Sequence, residues 1–401
     1  AQVSFSAHLS PASPLAVIAR ACARSMENRL TRLLRLEYPI MLAGMAPTSG
    51  PDLVAAVSNA GGIGTLGAAS LSPAGLRAAI RRTRELLKPG RPMGVDLLLP
   101  KVGSGAKATN RDYTGGAAHD LVSVMIEERV ELFVCAVGVP PKEIVDRLRG
   151  AGIPVMNMIG SPKHVKNCLA AGVDIICAQG GEGGGHTGNI STMVLLPQVV
   201  DACRGTGTLV VAAGGIADGR GIAAALVLGA DGVWLSSRFI VTPEANAPPE
   251  LKQALVEASS DQTTHTRVYT GRTLRCLSNP WADEWMTGRH AEMEQLLASG
   301  KVPFEHDLRE GKFGERAFLG WWWGGNGTKL GPGGLADDYL DRHASLPQSI
   351  DRQALLRQGV TVGQCVGALT KVEPAGEVFR GLVASLQEAL KSPLLAPASR
   401  L

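Results

Sequence analysis

The chain has 401 residues, 45% of them apolar and 19% charged, with a formal net charge of +4. That composition supports a sizeable buried core and excludes a disordered or coiled-coil chain. The basic residues are interleaved with acids, as in Arg81 to Glu85, so no nucleic-acid-binding stripe is expected.

Residues 1–26 read as an N-terminal extension. The first 25 contain no Asp or Glu and carry Arg20 and Arg24, a transit-peptide-like composition that a frayed extension would share, and Met26 is a candidate start. Eight short apolar runs bounded by Gly or Pro follow: Tyr38–Met45, Gly61–Ala68, Pro92–Leu99, Val130–Val137, Ile153–Gly160, Val173–Gly180, Thr208–Gly215 and Asp231–Arg238. The uncharged stretch Leu53–Leu76 holds five glycines and a proline, so no membrane span is expected there. Helix-like segments with proline near the start or glycine past the end separate most of the runs. Runs apolar throughout suit strands buried on both faces, and alternation with helices implies parallel βαβ units. Eight such units over residues 27–240 predict an α/β fold, the (β/α)8 barrel known as the TIM barrel.

Residues 241–401 are left for an appended C-terminal region, helical or lid-like, with residues 361–391 expected to pack back on the barrel. Ala291–Ala298 and Glu377–Lys391 read as helices. The turn-rich segment 319–334 carries Trp321, Trp322 and Trp323, which suit packing or a homo-oligomer contact better than a ligand cover. The chain ends Ser399-Arg400-Leu401, a variant of a peroxisomal address. The expected location is intracellular: peroxisomal in a eukaryote, cytoplasmic otherwise.

In such a barrel, ligands sit at the C-terminal strand ends, and phosphate is commonly held after strands seven and eight. Here those turns contain Gly214 and Gly215, then Ser236, Ser237 and Arg238, with a helix opening near Arg220. They read as a phosphate cradle of free N–H groups and hydroxyls. The strand-six end, "CAQGGEGGGHTG" (177–188), puts His186 on the same face, where a histidine suits proton transfer. Seven cysteines without a C-x-x-C pair read as buried thiols in a reducing compartment. No thiolate or carboxylate spacing suggests a metal site. Gly62 to Gly67 matches G-x-G-x-x-G, but "DLVAAVSNA" before it reads as helix, whereas a dinucleotide fingerprint must follow a strand and open a helix.

The segments "RLTRLLRLEYPIMLAGMA" (29–46), "AAVSNAGGIGTLGA" (55–68), "AQGGEGGGHTG" (178–188), "VVAAGGIADGRGIAAALVLGADGVWLSSRF" (210–239) and "GQCVGAL" (363–369) together resemble the nitronate monooxygenase family, formerly called 2-nitropropane dioxygenases. The resemblance implies non-covalent FMN at the barrel mouth, with a small-molecule substrate and O2 as reaction partners. It implies that Gly44, Met45 and Ala46 back the flavin ring, that Asp96 lies near it where many members have Asn, and that Gln179, Gly184 and Gly185 contact it. Gly214, Gly215, Leu235, Ser236 and Ser237 would hold the phosphate, and His186 matches the catalytic histidine. The implied activity is oxidation of alkyl nitronates, or nitroalkanes, to carbonyl compounds and nitrite. The alternative is an FMN-dependent NAD(P)H enoyl-thioester or quinone reductase.

Overall fold

The computed structural model describes residues 26–69, 71–313 and 356–391. Residues 1–25, the tryptophan run at 321–323 and the terminal Ser399-Arg400-Leu401 lie outside the described residues.

Each of the eight apolar runs contains a strand. They are β1 (Ile40–Leu42), β2 (Gly64–Gly67), β3 (Met93–Leu98), β4 (Leu132–Ala136), β5 (Val155–Ile159), β6 (Ile175–Gln179), β8 (Leu209–Ala213) and β9 (Gly232–Leu235). All pair parallel in the order β1-β9-β8-β6-β5-β4-β3-β2. Across the remaining seam, Leu42 N donates to Ile63 O at 2.9 Å and Ile63 N to Ile40 O at 3.3 Å. The sheet therefore closes on itself as a (β/α)8 barrel.

Period-two alternation divides each strand between two apolar layers. Leu132 and Val134 pack with Met156, Ile175 and Val211 inside the barrel. Phe133 and Cys135, one residue out of phase, join the layer beneath the helices. Both faces are apolar, which is why these strands read as unbroken hydrophobic runs. The helices start where the sequence marks them: Pro51 opens Pro51–Asn59, and Ser72 caps Pro73–Leu86 by accepting from Gly75 N. Gly62 to Gly67 follows a helix and ends in β2, the reverse of a dinucleotide fingerprint.

The C-terminal helix Ala375–Leu390 lies against the helices Gly219–Val227 and Pro51–Asn59. The contact is close enough that a Cβ on Gly219 would meet the Leu386 backbone, and one on Gly62 would sit 2.6 Å from the Phe379 ring. Phe379 also meets Tyr38 edge-on, with ring centroids 6.0 Å apart.

A second sheet was not foreseen from the sequence. It joins β10 (Thr263–Thr266), β11 (Leu274–Leu277) and the two-residue strand β7 (Gly185–His186), all antiparallel, in the order β10-β11-β7. A separate aromatic cluster of Tyr269, Trp281, Trp285 and Phe304 supports this hairpin. Among the described residues, no helix is long and apolar enough to cross a membrane.

Candidate active site

The strand ends open into a cavity of about 1500 Å³. Gly44, Met45, Ala46, Asp96, Gln179, Gly184, Gly185, His186, Gly214 and Ser236 all line it. Gly215, Leu235 and Ser237 are not among its lining residues. Ser237 is buried and faces away, accepting a hydrogen bond at its Oγ from Gly363 N at 3.0 Å.

His186 leaves the barrel on the strand-six loop and is caught by the second sheet, where it stands opposite Leu274. Its Nε2 lies 2.9 Å from Thr270 Oγ1, and its carbonyl accepts from Gln179 Nε2 at 2.9 Å. Gln179 thus closes the loop back on its own strand. Glu182 fixes the loop from the other side by accepting from Thr192 N at 2.9 Å and from Thr192 Oγ1 at 2.9 Å. Gly185 has φ +74°, a conformation that favours glycine, and a Cβ there would meet open space. Burial, and then the charge of Arg272, push the His186 pKa down to about 4. The imidazole is therefore neutral at pH 7, with a ring nitrogen able to accept a proton.

Asp96, at the end of β3, is 6% exposed, and its Oδ1 has no hydrogen-bond partner. Burial without a compensating charge raises its pKa well above the usual carboxylate range. Gly44 makes room for it, since a Cβ at that position would sit 2.3 Å from Asp96 Cβ. In the turns after β8 and β9, the N–H groups of Gly214, Gly215 and Ser236 donate to no other described residue. Gly214 and Gly215 have φ of +97° and +71°.

Thr270 and Arg272 are among the lining residues that escaped the sequence reading. Thr270 and Arg272 lie in the turn of the β10–β11 hairpin. The signal was present as two short β-prone segments, "TTHT" and "LRCL", around a Gly-containing turn. Arg272 donates from Nε to Asn110 Oδ1 at 3.1 Å and from Nη1 to Val137 O at 2.8 Å. Both acceptors are uncharged, so the guanidinium keeps its full positive charge toward the cavity.

His306, Asp307 and Glu310 converge elsewhere in the geometry of a metal site. Lys312 Nζ sits 3.0 Å from Asp307 and 2.6 Å from Glu310, so an ammonium group already serves those carboxylates.

An unpaired buried carboxyl on an apolar floor, a wall of open glycine, unused N–H groups in two adjacent turns and a neutral histidine are together suited to a flat heteroaromatic cofactor with an anionic tail. The nitronate monooxygenase family model matches residues 27–329. An octahydroindene-carboxyl-CoA dehydrogenase of Mycobacterium tuberculosis is 37% identical over 266 residues, covering 66% of this chain and 70% of that protein. Among solved structures, nitroalkane oxidase from Streptomyces ansochromogenes superposes with a TM-score of 0.66 at 30% identity, covering 90% of this chain and 99% of that one. FabK from Thermotoga maritima superposes with a TM-score of 0.68 at 29% identity, covering 91% and 97%. The chain is an oxidoreductase and belongs to the nitronate monooxygenase family.

Proposed function

We propose that the protein is an FMN-dependent nitronate monooxygenase that oxidises alkyl nitronates with O2 to carbonyl compounds and nitrite. The observation that carries this reading is the neutral His186, held by Thr270 in the wall of a cavity beside the unneutralised Arg272. The family match and the likeness to a nitroalkane oxidase support it.

The residues fit FMN. Gly44, Met45, Ala46, Asp96, Gln179, Gly184 and Gly185 would surround the ring. The turns Gly214-Gly215 and Leu235-Ser236-Ser237 would offer backbone N–H groups to the phosphate. Ser237 and Leu235 would contribute main chain only, because their side chains are buried away from the cavity. FMN, once bound, supplies the redox chemistry, taking electrons from the substrate and passing them to oxygen.

The protein's own part is binding and proton handling. Arg272 offers its charge to the nitronate anion. His186 orients a substrate that arrives deprotonated, or takes the α-proton from a neutral nitroalkane onto its ring. Its low pKa makes it a weak base, so the preformed nitronate is the better substrate.

A second reading, an NAD(P)H-dependent enoyl-thioester or quinone reductase, is favoured by one observation. The cavity exceeds the 300–1,000 Å³ usual for a single small ligand. The similarity to a carboxyl-CoA dehydrogenase agrees with it.

The deciding experiment mixes FMN-loaded protein, without oxygen, with propyl-2-nitronate, NADH or NADPH in separate cuvettes and follows visible absorbance. Reduction by nitronate alone, with nitrite released in air, supports the monooxygenase. Bleaching by a nicotinamide with nitronate inert would replace it with the reductase. Turnover that survives His186→Asn with both nitronate and nitroalkane would remove the role given to His186.

A further inference from the structure

Beside the main cavity lies a second, small one of about 50 Å³. Met45, Gly184, Ser236 and Thr361 line both, so the two spaces meet beside the wall proposed for the flavin ring. Past that junction the lining is Ile240, Leu251, Leu255, Val360 and Thr48. Leu251 and Leu255 stand one turn apart on the helix Pro249–Glu257. With Ile240 and Val360 they belong to one buried apolar cluster, against which Met45 packs. The segment that supplies Val360 and Thr361 is fastened to the strand-six loop, because Gln364 N donates to Glu182 O at 2.9 Å. The approach is so close that a Cβ on Gly184 would lie 2.6 Å from the Val362 backbone.

Size and polarity together select the occupant. Protein interiors are close-packed, and voids larger than a water are few. Roughly 10–15 Å³ holds one water, so this pocket has room for a diatomic molecule, and it lies far below the roughly 300–1,000 Å³ of an organic ligand site. A buried water needs about two to four polar partners. Past the junction, Thr48 alone among the described lining residues has a polar side chain, and none is charged. A small apolar molecule gives up no hydrogen bond on entering such a space.

We propose that this pocket is a docking site for dioxygen, in which Ile240, Leu251, Leu255 and Val360 hold the gas and the gap beside Met45 and Gly184 passes it to the flavin. The inference rests on the flavin reading and deepens it by naming where the oxidant is held. It does not depend on which compound reduces the flavin. In the simplest reaction the site would serve, dioxygen takes both electrons and both protons of reduced FMN and leaves as hydrogen peroxide.

The test uses the full chain loaded with FMN and has two readouts. Crystals are pressurised with xenon, an apolar probe of dry cavities, which should occupy the pocket in the wild type and be absent from Leu255→Phe. In solution, the flavin is reduced with dithionite without oxygen and mixed with buffer at several oxygen concentrations, and the second-order rate of reoxidation is read from visible absorbance. Leu255→Phe should lower that rate roughly 5-fold or more, because the oxidant is no longer held beside its target. Bound FMN and thermal unfolding are the folding controls. Val360→Ile, which adds a single methylene, replaces the phenylalanine variant if that one does not fold, and should lower both xenon occupancy and rate. Ordered water or the flavin itself in the pocket in place of xenon, or a reoxidation rate that the filled variants leave unchanged, overturns the proposal. A protein that takes up no FMN overturns the flavin reading and this role with it. Pocket-dependent reoxidation in a protein that nitronate does not reduce would instead overturn the nitronate reading and leave this site standing.

Discussion

His186 Nε2 and Thr270 Oγ1 are 2.9 Å apart although 84 residues separate them in the chain. The contact exists because β11 pairs antiparallel with β7, so the hairpin carrying Thr270 is stitched to the strand carrying the histidine. Thr270 Oγ1 also receives Arg272 N at 3.3 Å, which fixes the hydroxyl relative to the turn. Thr270→Val keeps the shape and removes the partner. A lost hydrogen bond of about 1 kcal/mol predicts a fall in kcat/KM of roughly 5-fold. Thr270→Ser should restore most of it, whereas equal losses in both variants would mean that packing, not the hydroxyl, matters.

Arg272 should set both substrate charge and histidine basicity. Its guanidinium lowers the His186 pKa, second to burial, so Arg272→Gln must raise that pKa from about 4. NMR titration of the imidazole reads the change directly. Binding of a nitronate, measured as KM, should weaken by roughly 10-fold or more, because a hydrogen bond to a charged group is lost. A pKa that stays at the wild-type value would place Arg272 outside the site's electrostatics.

The barrel was legible because its strands are buried on both faces and its helices start at proline or a capping residue. Those are local signals, and all eight expected runs contain a strand. The glycine-rich loop and His186 were legible for the same reason, as a break in an apolar run. The partners of His186 were not. Thr270 and Arg272 act through a hairpin whose register with Gly185 and His186 is a long-range choice. A two-residue strand such as β7 leaves no periodicity to read. The Ser237 side chain shows the same limit, because its Oγ accepts from Gly363 N, in a segment that sequence spacing could not align with it.

Asp96 should behave as a neutral carboxylic acid. Because its folded pKa is raised, its contribution favours the folded state below the unfolded value of about 3.9 and is lost as pH rises through the folded pKa. Asp96→Asn supplies a neutral group of the same shape. In flavin-free protein it should therefore be more stable than wild type at pH 7, by on the order of 1–2 kcal/mol, with the advantage shrinking toward pH 4. Flavin should still bind, within roughly 10-fold of wild type. Asp96→Leu should lose flavin affinity without losing stability. An Asn variant less stable than wild type at pH 7 would mean that the carboxylate is ionised and paired.

The last prediction concerns the support beneath the hairpin. Asp307 is 1% exposed, and its Oδ2 accepts from Trp281 Nε1 and Trp285 Nε1, both at 2.9 Å. Arg289 Nη1 approaches the same oxygen at 3.2 Å, and Lys312 Nζ reaches Oδ1 at 3.0 Å. Burial alone would raise the carboxyl pKa, but hydrogen bonds from Lys312, Trp281, His306 and Trp285 together hold it far below the usual range. The residues it gathers carry the aromatic cluster in which Tyr269 packs on Trp281 and Phe304, one position before Thr270. Asp307→Asn keeps the shape and removes the charge that Arg289 and Lys312 face. It should cost about 3 kcal/mol in thermal or urea unfolding. The folded pKa lies below the unfolded one, so the wild-type advantage is complete above about pH 4 and is lost as pH falls further. Measured at neutral pH, the variant should also turn over nitronate more slowly while retaining FMN, because the loss falls on the hairpin that orients His186 and not on the barrel. A variant as stable as wild type from pH 4 to 7 would show that the tryptophan and arginine contacts hold the hairpin without the charge.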